Sequence, residues 1–364
     1  MKSENSSSEF SELFHGHELK ENLLKKTPAI IEAGSKLITN ALNEFSIPQY
    51  NNGKNIEFHW RATTSFQASA SIRNQDTHEI KLSYGVPISI YKDAYLVSHL
   101  LKKGAPFDSK ICAQLPALTD THQIDSYLSD NNNNGSIRSL LFTNPLLWVF
   151  FHEQAHLFQN HGELYLRETL RSRSDYEWIE IFDKTHTPLT GEEAWTRHCF
   201  EFSADYEATH SLIYYEIEKK GKISFLSIWT ILFSLSRLFF RFHEDAPKSP
   251  LSEAVGSHPV PYIRMYLASI CVLDFLDRPE VFKHIDWASN RDDLRRIMDH
   301  AILSAQTYTA WARITPNDDN IEIGAGEYQQ IETYIYLMLG KWKDLHPKIL
   351  PFYFGSASIM PMWS

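Results

Sequence analysis

The chain has 364 residues, 43% of them hydrophobic and 13% aromatic, a folding composition with length for one large domain or two. Its formal net charge of −10 offers no domain-wide basic surface, so nucleic acid is not expected as a partner. Cys112, Cys199 and Cys271 are odd in number, far apart and never in a CxxC pair, which argues against a disulfide framework and fits a reducing cytosol.

The opening "MKSENSSSEF" has no apolar run behind its lysine and does not read as a secretion signal, so a cytoplasmic location is expected. Residues 1–25 read as a flexible polar tail in which His15 and His17 are solvated. Apolar residues at helical spacing in "AIIEAGSKLITNALNEF" predict a helix over about 28–45. The period then shortens: "NIEFHW", "TSFQASASIR" and "HEIKLSYGVPISIY" alternate apolar and polar residues, predicting a small antiparallel sheet over about 55–91. A helix at 92–103 and an inserted loop over about 104–140, running through "DNNNNG", are expected next. From Thr143 onward the chain reads as helical. A helix, a small sheet and then many helices give an α+β fold dominated by helix.

"TNPLLWVFFHEQAHLFQNHG" predicts a helix capped by Thr143 or Asn144, with Pro145 in its first turn and Gly162 at its end. On it, His152 and His156 lie one turn apart on one face, so their imidazoles converge. Glu153 is rotated from His152 by about 100°, beside a shared ion rather than on it, where a general base belongs. A random chain of this composition shows His-Glu-x-x-His about 5% of the time, so the motif needs the rest of a site. Zinc in a hydrolase takes a third protein ligand and keeps one position open. The extension with glycine three and histidine six residues after the second His is absent, Gln159 and Gly162 standing there; His161 reads as a helix-end residue.

A second helix supplies the remainder. Thr190-Gly191-Glu192-Glu193 looks like a capping box opening a helix that closes at Gly221. Within it Glu201 and Asp205 are four apart and share a face. Glu201 is the candidate third ligand, against the plainer reading of a solvated carboxylate, and Asp205 the candidate acceptor for the free N–H of a ligating histidine. Glu192 and Glu193 are rival ligands already occupied as capping residues. "ISFLSIWTILFSLSRLFF", from Ile223 to Phe240, reads as a buried core helix, with a membrane-dipping or partner-binding helix as the alternative; its uncharged run is too short to span a bilayer.

His-Glu-x-x-His, then Glu201, Ala204, Asp205 and Ala208, then His258, Pro259 and Arg264 in "SHPVPYIRM" make three ordered blocks. Together they resemble the gluzincin metallopeptidases of the HtpX and CAAX-prenyl-protease type, and the soluble Lit-type phage-exclusion peptidases. The stretch from His78 to Gly85 is similar to the corresponding strand of the Lit type. The resemblance implies a zincin-like domain over 26–265 and Zn2+ held by His152, His156 and Glu201. It implies Glu153 as base and then proton donor, His258 as stabiliser of the oxyanion, and Arg264 behind the site, paired with a carboxylate such as Asp205. The chain lacks the spanning helices of the membrane members, so a prenylated substrate is not implied. It differs from the Lit type in its longer 104–140 loop and its C-terminal extension.

These readings converge on a cytosolic zinc endopeptidase acting on a protein or peptide. A substrate strand is expected to add at a sheet edge formed by Glu79, Ile80, Lys81, Leu82 and Ser83. A narrow-target toxin or defence effector and a binding or sensor module with structural zinc are the alternatives. Residues 266–364 read as a helical extension packed on the core, ending in an aromatic tail whose Phe354 and Trp363 are candidate anchors for a partner or a plug for the cleft.

Overall fold

The computed structural model describes residues 17–50, 55–74, 77–102, 134–169, 178–180, 189–242, 253–313, 325–353, 355 and 359–361. Helix α1 spans His17–Ala41 and runs into a π-helical turn, Leu42–Ser46. It starts well before residue 28, so the polar stretch 17–25 is not a loose tail. Pro28 sits inside it without ending it.

Strands β1 (Asn55–Arg61), β2 (Ala68–Asn74), β3 (Thr77–Ser83) and β4 (Trp178–Glu180) form one sheet in the order β1-β3-β2-β4. The pairs β2–β3 and β2–β4 are antiparallel, but β1 runs parallel to β3, with Phe58 opposite Ile80. The sheet is therefore mixed rather than antiparallel. Alternation along a strand fixes which side chains face the core; it does not say which neighbour the strand chooses. Ile56, Ala68, Ala70, Ile80 and Leu82 supply the buried face.

The last expected strand segment, "GVPISIY", is helical instead. Helix α2 runs Gly85–Lys102, with Pro87 in its first turn, where a missing N–H costs nothing. Only glycine fits at position 85: a Cβ there would lie 2.2 Å from the Ser65 carbonyl oxygen and 2.3 Å from that of Thr64. Residues 103–133, most of the expected loop, lie outside the described residues, but 134–140 are helical.

Helix α3, Asn134–Phe158, carries the His-Glu-x-x-His motif through the middle of the core. It begins a good two turns before Thr143, because Ile137 and Leu141 continue its buried stripe upstream. Pro145 is thus internal, and Asn144 caps nothing; its amide donates to Thr230 Oγ1 at 2.9 Å. The helix stops at Phe158. Asn160, in the left-handed region at φ 52°, turns the chain into α4, His161–Thr169, so Gly162 is a helix residue rather than a stop.

Helix α5, Gly191–Lys220, packs along α3 and ends at Gly221 with φ 71°, the left-handed cap that glycine favours. Its N-terminus has no capping box. Thr190 makes no side-chain cap bond; Glu193 takes the Tyr165 hydroxyl and Glu192 pairs with Lys341 at 2.7 Å. Helix α6, Phe225–Phe242, is buried in the core as expected. No described helix is long and apolar enough to cross a membrane. Helices α7 (Pro261–Leu276), α8 (Arg291–Arg313) and α9 (Ala325–Ile349) follow, with short helical turns at Pro279–Phe282 and Leu350–Phe352. The architecture is mostly helical α+β.

Two apolar clusters hold these elements. The larger joins the sheet to α2, α3, α6 and α8. The smaller joins Phe200 and Phe202 of α5 to Ile263 of α7 and to Tyr334, Met338 and Trp342 of α9. The metal-ligand candidates of α3 and α5 sit between the two. Phe354 and Trp363 lie outside the described residues.

Candidate metal centre

The antiparallel packing of α3 against α5 brings His152, His156 and Glu201 together. Their ligand atoms lie within 4.8 Å of one another, and all three side chains are buried. His152 Nε2 is 2.9 Å from His156 Nε2 and 3.4 Å from Glu201 Oε2, and His156 Nε2 is 3.7 Å from Glu201 Oε1. Ligand atoms at tetrahedral corners around zinc, with bonds of about 2.0–2.1 Å, stand about 3.3 Å apart. The three observed edges bracket that value, so the donor set fits an ion of this size and geometry.

Charge and tautomer agree. Asp205 Oδ1 lies 2.9 Å from His152 Nδ1, so that nitrogen carries the proton and donates, and the Nε2 lone pair is left facing the cluster. Asp205 is itself gripped by Arg264, whose Nε and Nη2 donate to its two oxygens at 2.8 and 2.6 Å. Burial alone would raise the Asp205 carboxyl, but Arg264 and then His152 hold it below the ordinary carboxylate range. His156 is pushed well below its ordinary value, first by burial and then by His152 and His161, so it is neutral, as a ligand must be. Glu153 is fully buried on the same helix, one residue on from His152.

His258 approaches from the segment preceding α7. Its Nε2 lies 3.4 Å from Glu201 Oε2, its Nδ1 lies 2.8 Å from Ser257 Oγ, and its side chain keeps 13% exposure where those of the three clustered residues keep 0–1%. A backbone bridge between Thr190 and Val255 ties that segment to the start of α5.

Glu79, Ile80, Lys81, Leu82 and Ser83 do not form the expected edge. They belong to β3, which is hydrogen-bonded to β1 on one side and β2 on the other, so no further strand can add there; among the described strands the edges are β1 and β4.

Four residues near the site were not singled out as site residues by the sequence. His161 Nδ1 lies 2.8 Å from His156 Nδ1, and its Nε2 lies 2.9 Å from Gln159 Oε1. Gln159 Nε2 donates to Glu207 Oε2 at 2.7 Å, and the Tyr353 hydroxyl donates to Glu207 Oε1 at 3.1 Å. A histidine five residues after the second motif histidine was the one available signal. The contacts of Glu207 and Tyr353 span too much sequence to leave any. No protein-family model, no curated protein and no solved structure matches this chain.

Proposed function

We propose that the chain is a zinc-dependent endopeptidase of the gluzincin type, acting on a narrow set of intracellular proteins, with defence effectors the nearest functional analogy. What supports this is one observation: two imidazole nitrogens and a carboxylate oxygen stand at tetrahedral spacing beside a buried glutamate on the same helix. Two nitrogens and one oxygen suit zinc, and three protein ligands leave room for a reacting group. When bound, zinc supplies a Lewis acid for a carbonyl and lowers the pKa of water toward ~7.

The chain's own groups do the rest. Glu153 takes the proton of the attacking water and returns it to the departing amine. His258 donates an N–H to the carbonyl oxygen as charge builds on it, a contribution of about 3–4 kcal/mol by comparison with similar donors. Asp205 keeps His152 in the tautomer that presents Nε2, and Arg264 keeps Asp205 ionised and in place.

The test compares new protein N-termini in cells making the wild-type chain with those in cells making Glu153→Gln, zinc content being measured in both purified proteins. The reading expects a few cuts with wild type alone and equal zinc. Identical cuts in both would remove Glu153 from the chemistry. Equal zinc with no cuts in either would favour a binding module that has kept the site.

A further inference from the structure

On the metal-site reading above, we propose that His161 is a positioning residue that fixes the tautomer of His156, and that Gln159, Glu207 and a C-terminal strap, represented by Tyr353 and Gly355, hold it to that task.

The direction of every hydrogen bond in this chain follows from one side chain. Gln159 Nε2 faces two acceptors, Glu207 Oε2 at 2.7 Å and the Ser203 carbonyl at 3.2 Å, so it is the amide nitrogen that points there. Gln159 Oε1 therefore points the other way, where it receives the Ser203 hydroxyl at 2.5 Å and meets His161 Nε2 at 2.9 Å. His161 must then carry its proton on Nε2, which leaves Nδ1 as an acceptor. Its Nδ1 is 2.8 Å from His156 Nδ1, so the proton in that contact belongs to His156. With Nδ1 protonated, neutral His156 turns its Nε2 lone pair to the cluster. Asp205 does the same for His152 by a carboxylate, the common device; for His156 the work is done by a second histidine.

The far end of this relay lies at Tyr353 and Gly355. Tyr353 donates to Glu207 Oε1, and Gly355 lies so close that a Cβ there would come within 2.8 Å of that oxygen and 2.7 Å of Phe158 Cδ2. The strap thus covers Glu207 and presses on the end of α3. Burial pushes the Glu207 carboxyl up to about 8 despite the bonds from Gln159 and Tyr353. Protonation does not reverse the logic, because the Ser203 backbone carbonyl only accepts and holds the Gln159 amide nitrogen on that side in either state. His161 is itself held flat on Phe200, ring centroids 4.4 Å apart. Its orientation is set by packing and its tautomer by Gln159.

Zn2+ affinity of the full chain, measured by competition with a chromophoric chelator, and the visible spectrum of the Co2+-substituted protein test this. His161→Phe keeps the ring on Phe200 and removes the acceptor; zinc binding is expected to weaken ~10–100-fold, with an altered Co2+ spectrum. His161→Asn places a carbonyl oxygen near the Nδ1 position and is expected to recover most of the affinity, which a loss of packing alone would not allow. Tyr353→Phe is expected to shift affinity the same way and by less. Wild-type affinity in His161→Phe, alongside lost binding in His156→Ala, would overturn the relay and leave the metal site standing. Equal weakening in His161→Phe and His161→Asn would reduce His161 to a packing residue. No zinc uptake by the wild-type chain would fell the metal reading and this proposal together.

Discussion

Replacing Asp205 by Asn tests how the site is braced. Asp205 is buried and accepts from His152 Nδ1 at 2.9 Å and from Arg264 at 2.8 and 2.6 Å. Arg264 is 2% exposed and lies over the Phe239 ring at 4.6 Å, with Glu201 Oε2 the next carboxylate at 4.0 Å. Asparagine keeps the volume but removes the charge and turns one acceptor into a donor. Breaking a buried pair of this kind costs about 3–5 kcal/mol, mainly because the remaining charge stays in a dry place. Arg264→Met in the same chain removes that charge too, so the double variant is expected to fall short of the summed penalties by about 2–3 kcal/mol. Urea unfolding of the metal-free proteins measures all four corners of the cycle. The sign with pH also follows. Asp205 has a lowered folded pKa, so its stabilisation is full above the ordinary value of 3.8 and is lost as pH falls through the folded value; the Asn penalty shrinks only in strong acid. A penalty under about 1 kcal/mol at pH 7, or strict additivity in the cycle, would refute the bracing argument.

Three further outcomes are expected. Glu207 shows the opposite sign: its carboxyl is raised from 4.5 to about 8, so its contribution to stability is full below pH 4.5 and is lost as pH rises through 8. Unfolding free energies from urea titrations at pH 5 and pH 8.5 should therefore differ more in wild type than in Glu207→Gln, by on the order of a few kcal/mol; equal differences would show that Glu207 ionises without strain. Gly85→Ala places a methyl against two backbone carbonyls and should cost more than about 2 kcal/mol, whereas Gly340→Ala in α9, with nothing within 4 Å of the added carbon, should be neutral or stabilise by up to about 1 kcal/mol; thermal melts separate the two. Zinc at a hundredfold excess over its dissociation constant should stabilise the protein by about 2.7 kcal/mol, a gain that a chelator reverses and His156→Ala abolishes.

Local periodicity made some of this legible. A four-residue spacing puts His152 beside His156 and Glu201 beside Asp205, and Gly221 marks the end of α5 through a positive φ that other residues resist. Where two local signals competed, the stronger long-range one won. Pro145 looked like a first-turn residue, but burial of Ile137 and Leu141 carries α3 through it. "GVPISIY" alternates like a strand yet forms the first turns of α2, and the Thr64–Ser65 loop crosses so close to its start that only glycine fits at position 85. The parallel pairing of β1 with β3 could not be read at all, since it joins residues 22 apart and strand order is set by packing at that range. That one missed pairing turned an expected edge strand into the sheet's interior.

Whether the centre is open or closed turns on its fourth position. A structural zinc site closes on four protein ligands, while a catalytic one leaves a position free. His258 is the nearest candidate for a fourth ligand, but the group whose ligand atoms all lie within 4.8 Å of one another is His152, His156 and Glu201 without it. Its Nδ1 lies 2.8 Å from Ser257 Oγ, and with Ser257 donating there the proton sits on Nε2, the tautomer that donates rather than ligates. On the proposed reading His258 is then a donor beside the cluster rather than a ligand closing it, and the three described donors leave the fourth corner to the substrate.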